Sequence, residues 1–306
     1  CLQHYKTAHC DSVLAVGGGS SIDVAKVVAL AASTQNTPQQ SVGILKGRKA
    51  SSPLYAIPTT AGTGSEVTVG AVISDDKTHQ KNLVLDPNVV PRMVALDSGI
   101  MSGMPPKVTA ETGMDALTHA VEAYISEIAT NESDLYARAA VKLIFENLRV
   151  VYTEPKNLVA REAMALASHY GGLALNQGGL GYVHGIAHQL GSHYGLPHGL
   201  SNAIVMPHVL AFSRPVIDTK LAELARFAGL VTQETSTAIA AQAFMTELQK
   251  LMDDVKIKAV VPKMNEQDFD DIMQAAFKEV HGTYAVPKYM TEDDCKHILY
   301  VLSKQA

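Results

Sequence analysis

Tryptophan is absent from the 306 residues, and cysteine occurs only at Cys1, Cys10 and Cys295. Three scattered thiols build neither a disulfide framework nor a thiolate zinc site; they read as reduced cysteines in a cytoplasmic protein. No block of like charge occurs. The 25 basic and 30 acidic side chains are interspersed, for a net charge of −5, so there is no basic stripe for nucleic acid and no polybasic tail for an anionic membrane. No apolar run reaches spanning length, and the opening CLQHYKTAHCDSVLAV lacks the charged, apolar and small-residue order of a signal peptide. These absences point away from nucleic acid and membrane and leave small molecules as partners. The length allows about two domains, and 47% apolar with 18% charged residues is ample for large cores.

What is present falls into two textures. In the first third, SVLAV (12–16) runs into a glycine turn and a helix-spaced segment, and LYAIP (54–58) runs into TTAGTGSE (59–66). VTVGAVISD (67–75) and QKNLVLD (80–86) flank DKTH (76–79) as a hairpin, and RMVALD (92–97) makes a further strand. From Pro105 onward the chain is a succession of amphipathic Ala, Leu and Met-rich segments broken by Gly, Pro or Asn, which predicts an all-helical unit. The boundary is placed in SGIMSGMPP (98–106), giving an α/β domain over residues 1–103 and a helical domain over 104–306. Only one helix-length segment precedes SVLAV and the chain begins with Cys, so the α/β domain is expected to lack its start.

GGGSSIDVAK (17–26) lies between a strand and a helix N-terminus, where glycine backbone N–H groups and the helix dipole can hold a phosphate. It is not the GxGxxG fingerprint, since Ile22 stands where that register needs glycine. A second reading is a helix start capped by Ser20, with Asp23 completing a capping box. In TTAGTGSE the hydroxyls of Thr59, Thr60, Thr63 and Ser65 alternate with Gly62 and Gly64, offering donors without bulk. Two such loops after consecutive strands would open at the carboxyl edge of one parallel sheet, which favours a bound nucleotide.

Histidines supply the other constellation. Asp115 and His119 stand four apart in a helical stretch, and His184 and His188 repeat that spacing in GYVHGIAHQLG. Gly195 and Pro197 break the second helix and allow His198 to fold back beside it. Neutral imidazoles with one carboxylate suit Fe(II) or Zn(II), and an open position would make the ion a Lewis acid. Spacing leaves open whether His184 and His188 both ligate or one does other work. HGIAH lacks the glutamate of HExxH, so a zinc hydrolase is the weaker reading. His193, His169 and His208 are read as structural.

GGGSSID, IPTTAGTGSEVT, GMPP, ETGMDALTHAVEAYIS, GYVHGIAHQLG and LPHGLSNAIVMPHV, in this order over nearly the whole chain, resemble the iron-containing (group III) alcohol dehydrogenases, a group that includes lactaldehyde reductases and propanediol dehydrogenases. The resemblance implies a dehydroquinate-synthase-like fold: a Rossmann-like nucleotide domain, a helical metal-binding domain, and the active site in the cleft between them. It implies hydride transfer between NAD or NADP and a small primary or secondary alcohol or aldehyde, with Fe2+ or alternatively Zn2+, in a homo-oligomer, a dimer. Carried over by position, the metal ligands are Asp115, His119, His184 and His198. His188 falls beside the nicotinamide and substrate as the catalytic histidine. Gly18, Gly19 and Ser20 match the pyrophosphate loop with Asp23 beside it, Thr59, Thr60 and Thr63 match the second cofactor loop, and Lys81 matches a lysine reaching toward the cofactor. The rivals are glycerol-dehydrogenase-like polyol oxidation on the same fold and a metallohydrolase. Two departures stand out. By the resemblance, the segment that helps choose between NAD and NADP is expected to lie outside residues 1–306, and Val286, Pro287 and Lys288 stand where the family often has NPR.

Overall fold

The computed structural model describes residues 1–47, 51–74, 81–258 and 264–304; the expected DKTH turn lies outside them. A short helix α1 (Leu2–Thr7) leads to β1 (Val13–Gly17), α2 (Gly19–Thr34), β2 (Gly43–Ile44) and β3 (Leu54–Pro58). There follow β4 (Gly70–Ser74), β5 (Lys81–Leu85), β6 (Met93–Val94) and the single turn α3 (Ser98–Met101). Strands β1, β3 and β6 form a parallel sheet in that order, with Val13 opposite Leu54 and Gly17 opposite Pro58. Helix α2 covers one face, where Ile22, Ala25 and Ala29 pack on Ala15, Leu54 and Ala56. The opposite face leaves Leu14, Val16 and Met93 exposed. Because β1 and β3 are parallel and in register, their carboxyl ends coincide. The glycine loop and the threonine loop therefore emerge side by side, with Thr59 N–H donating to Gly17 O at 2.9 Å.

The expected hairpin is present: β4 and β5 pair antiparallel, with β2 parallel to β5. Two local expectations are corrected. Val67 to Val69 are not strand, because the Asn176 amide takes Val69 N–H and donates to Val67 O, the groups a neighbouring strand would have used. The capping box does not form either. Helix α2 starts two residues early, at Gly19, with Gly18 as an N-cap that makes no side-chain bond, and Asp23 turns elsewhere.

Among the described residues, no strand follows β6. Helices α4 (Pro106–Ile125), α5 (Asn131–Thr153), α6 (Leu158–Gly178), α7 (Tyr182–Tyr194) and α8 (His198–Phe227) lead to α9 (Thr237–Asp254), α10 (Phe269–Val280) and α11 (Glu292–Lys304). Pro106 at the first position sets the dihedral angle with which α4 begins. From Thr109 on, α4 is buried on nearly every side, as expected of a helix enclosed by α5, α6 and α8. No described helix is long and apolar enough to cross a membrane.

Candidate metal and nucleotide site

Three helices bring the predicted ligands together. Asp115 and His119 project from one face of α4 and His184 from the buried side of α7. Gly195, at φ +65°, ends α7 in the left-handed conformation, and Pro197 directs the chain into α8, whose first residue is His198. One potential ligand atom from each of Asp115, His119, His184 and His198 lies within 4.8 Å of all the others. His198 Nε2 is 3.3 Å from Asp115 Oδ1, and the Nε2 atoms of His119 and His184 are each 3.9 Å from it. The approach of α8 to α4 depends on Gly199, where a Cβ would lie 2.7 Å from the carbonyl carbon of Glu111.

The donors suit a divalent cation. Burial, with repulsion from neighbouring imidazoles, holds His184 well below the usual histidine range, and burial holds His198 down to about 4 against the pull of Asp115. Both rings are thus neutral at pH 7 and keep a lone pair for an ion. Burial would raise Asp115, but His198, His119 and the Asn202 amide outweigh it and keep the carboxyl below its ordinary value. The Asn202 Nδ2 atom sits 2.7 Å from Asp115 Oδ1 and 3.0 and 3.2 Å from the Nε2 atoms of His184 and His198. Three acceptors converge on one amide that has two hydrogens, while Asn202 Oδ1 and His119 Nδ1 are buried without a partner among the described residues. A cation at this convergence satisfies the lone pairs better than the amide can.

Residues that sequence reading passed over support this quartet. Glu122, buried on α4, accepts Val183 N–H at 2.7 Å and lies 2.5 Å from His184 Nδ1, so His184 offers Nε2 inward. Burial pushes Glu122 up to about 8 despite its backbone hydrogen bonds. Its signal was available: 115, 119 and 122 repeat at the spacing of one helical face. Asn202 likewise stands one turn beyond His198. Glu279 at the end of α10, 2.7 Å from His188 Nδ1, gave no such signal.

His188 lies outside the group of four, with its ring stacked on His198 at 5.3 Å between centroids. His193 is exposed, its Nδ1 3.0 Å from Gln189 O.

The two loops form a second cluster. A Cβ on Gly18 would lie 3.4 Å from Thr60, and one on Gly19 only 2.7 Å from Thr63 Cγ2. Ser20 lies in the first turn of α2 and is exposed. Asp23 faces inward, its two oxygens accepting Ser65 Oγ–H at 2.5 Å and Val72 N–H at 3.0 Å. Below it, buried Lys26 donates to the carbonyls of Thr68 and Gly70, each at 2.7 Å, and burial pushes its amine down to about 8. Gly64 presses the threonine loop onto α6, where its Cβ would be 2.8 Å from Gly172 Cα. Lys81 reaches from β5 toward α7, with Nζ 3.3 Å from the Cβ position of Gly191; burial lowers its pKa and Glu279 opposes that. The structure thus brings Lys81 beside α7, the helix that carries His184 and His188.

Comparison with known proteins finds relatives over most of the chain. The family model described as iron-containing alcohol dehydrogenase matches residues 1–98, and that of the C-terminal part of the Fe-containing alcohol dehydrogenase family matches 109–302. The chain is 38% identical over 297 residues to the NAD-dependent methanol dehydrogenase of Bacillus methanolicus, covering 96% of this chain and 78% of that protein. It is 36% identical over 297 residues to the lactaldehyde reductase of Escherichia coli K12, covering 95% and 76%. A crystal structure of 1,3-propanediol oxidoreductase superposes with a TM-score of 0.93 at 36% identity, over 98% of this chain and 79% of that one.

Proposed function

The chain belongs to the iron-containing alcohol dehydrogenase family, and from that premise we propose that its cleft oxidises a small primary or secondary alcohol, or reduces the corresponding aldehyde or ketone, with NAD or NADP. NAD is the cofactor named for the methanol dehydrogenase relative. We assign a divalent ion, Fe2+ with Zn2+ as the other fit, to Asp115, His119, His184 and His198. The observation that carries the assignment is the convergence of three lone pairs on Asn202 Nδ2. When bound, the ion supplies Lewis acidity toward the substrate oxygen and the nicotinamide accepts or donates the hydride.

The chain's own groups do the rest. Gly18, Gly19 and Ser20 present backbone N–H groups at the start of α2 to a pyrophosphate. Thr59, Thr60 and Thr63 line the adjoining loop with hydroxyls. Asp23 ties the start of α2 to the threonine loop and β4, its oxygens accepting Ser65 Oγ–H and Val72 N–H, and each oxygen keeps a lone pair for the cofactor side that the resemblance implies. Lys81 brings a positive charge toward the cofactor, and His188 takes the substrate side. The division near residue 103, a homodimeric assembly and a cytoplasmic location belong to the same reading; three free thiols, two of them exposed, suit a reducing compartment.

The test is metal content by mass spectrometry beside NAD(P)-linked turnover for four alanine variants. His184→Ala and His198→Ala should lose both ion and turnover. His188→Ala should keep the ion and lose turnover, and His193→Ala should change neither. Ion loss in the His188 variant with retention in the His198 variant would overturn the assignment in favour of ligation by His184 and His188.

A further inference from the structure

Behind His188 stands a carboxylate that the hydride-transfer chemistry does not itself require. Glu279 Oε1 is 2.7 Å from His188 Nδ1 and accepts the Tyr284 hydroxyl at 2.9 Å, and Oε2 accepts the Gln189 amide at 3.3 Å. Three donors from two segments thus converge on one partly exposed side chain, and Lys81 attracts it from the nucleotide side. Its place runs against local preference. Glu279 is the penultimate residue of α10, where the helix dipole disfavours negative charge. Helix stability therefore gives no account of a carboxylate here, whereas the imidazole does. Tyr284 also falls in TYAVPKYM, the stretch that departs from the family's NPR pattern, so the departing segment supplies one of the three donors.

We propose that Glu279 is a positioning residue: it takes the Nδ1–H of His188, fixing the ring and its tautomer so that the Nε2 lone pair accepts a hydrogen bond from the substrate hydroxyl, while Tyr284 and Gln189 hold the carboxylate in place. The hydrogen bond at one ring nitrogen sets which nitrogen carries the proton. Without Glu279, the ring can turn and move its proton to Nε2, which then meets an alcohol as a donor and not as an acceptor. The proposal rests on the reading of His188 as the substrate-side histidine, and a tether between α7 and α10 that acted only on stability would leave the tautomer unchanged.

The experiment uses zinc-loaded protein with ring-15N-labelled histidine, the His188 signals being identified by their loss in His188→Asn. The wild type should show the Nδ1–H form. Glu279→Ala should shift His188 toward Nε2–H and lower kcat by roughly tenfold or more, with KM for the alcohol changed far less and one zinc per chain retained. Glu279→Leu keeps similar bulk but has no oxygen to accept Nδ1–H, and it carries the same readouts if the alanine variant folds poorly. An Nε2–H or mixed His188 in the wild type, or kcat within about twofold of wild type in both variants, would overturn the proposal. Wild-type NAD(P)-linked turnover is measured alongside: its absence would refute the functional reading, and the tautomer would still decide for or against the pair.

Discussion

Gly199→Ala adds one carbon at the point where α8 crosses α4, next to His198. That carbon would sit 2.7 Å from the carbonyl carbon of Glu111, closer still to the carbonyl oxygen, and 3.4 Å from Asp115 Cβ. Carbon atoms rest at about 3.5–4.0 Å, so the two backbones must part by about 1 Å. Neither neighbour is the end of a flexible side chain, so the strain falls on the helix crossing, and overpacking of this kind costs about 1–3 kcal/mol. In a chain of this size that is a loss of roughly 1.5–5 °C in Tm. The larger effect is on the ion. His198 Nε2 and Asp115 Oδ1 are 3.3 Å apart across this crossing, whereas ligand distances are set to within about 0.2 Å. Zinc affinity, measured by competition with a chelator, should fall by at least roughly tenfold, as for a disturbed supporting shell. Gly195→Ala is the control. Gly195 has φ +65° and nothing within 4 Å of its Cβ position, so its cost is backbone strain of about 1 kcal/mol, with zinc affinity close to wild type. Wild-type zinc affinity in Gly199→Ala would refute the argument that this contact sets the site.

Gly19→Val would thrust its side chain into Thr63 across the 2.7 Å approach; the apparent cofactor constant should rise strongly with metal content unchanged, and an unaltered constant would count against the pyrophosphate assignment. The pH dependence of the metal-free protein has a definite sign. Glu122 is raised from 4.5 to about 8 in the fold, so the folded state holds a proton that the unfolded state has lost, and stability falls as pH rises through that window. Metal-free wild type should therefore lose Tm from about pH 6 to about pH 8, and Glu122→Gln should flatten that slope; equal slopes would contradict it. His198 is lowered from 6.5 to about 4, so its contribution is present above the unfolded value and is lost as pH falls toward 4, where zinc should be released.

The legible parts of this fold were those governed by short-range rules. The strand Leu54–Pro58 was bounded by Pro53 and a polar turn, and the β4–β5 hairpin by alternation on both sides. Two i, i+4 pairs and a helix break at Gly195 pointed to a histidine and carboxylate cluster but left His184 and His188 undecided, and the family resemblance singled out the four residues whose atoms converge. What could not be read depended on distant partners. Asp23 looked like a capping residue until Ser65, 42 positions away, and Val72, 49 away, took its oxygens. VTV looked like strand until Asn176, 107 positions from Val69, took its backbone groups. Glu122 could have been found from helical periodicity alone. Glu279 could not, since 91 residues separate it from His188.

The Asp23 bridge has a consequence for how a nucleotide comes and goes. With one oxygen on the threonine loop and the other on β4, and with Thr59 tied to Gly17, the two loops proposed for the cofactor are hydrogen-bonded into one surface. Freezing a rotamer-rich side chain on association costs about 0.5–1.5 kcal/mol, and here that ordering was already completed during folding. On the proposed assignment a nucleotide would meet a preorganised floor, and its residence time would depend on how fast its own contacts break and not on the opening of a loop. Removing the Asp23 carboxylate would then loosen that floor and weaken affinity, over and above anything the carboxylate itself offers the ligand.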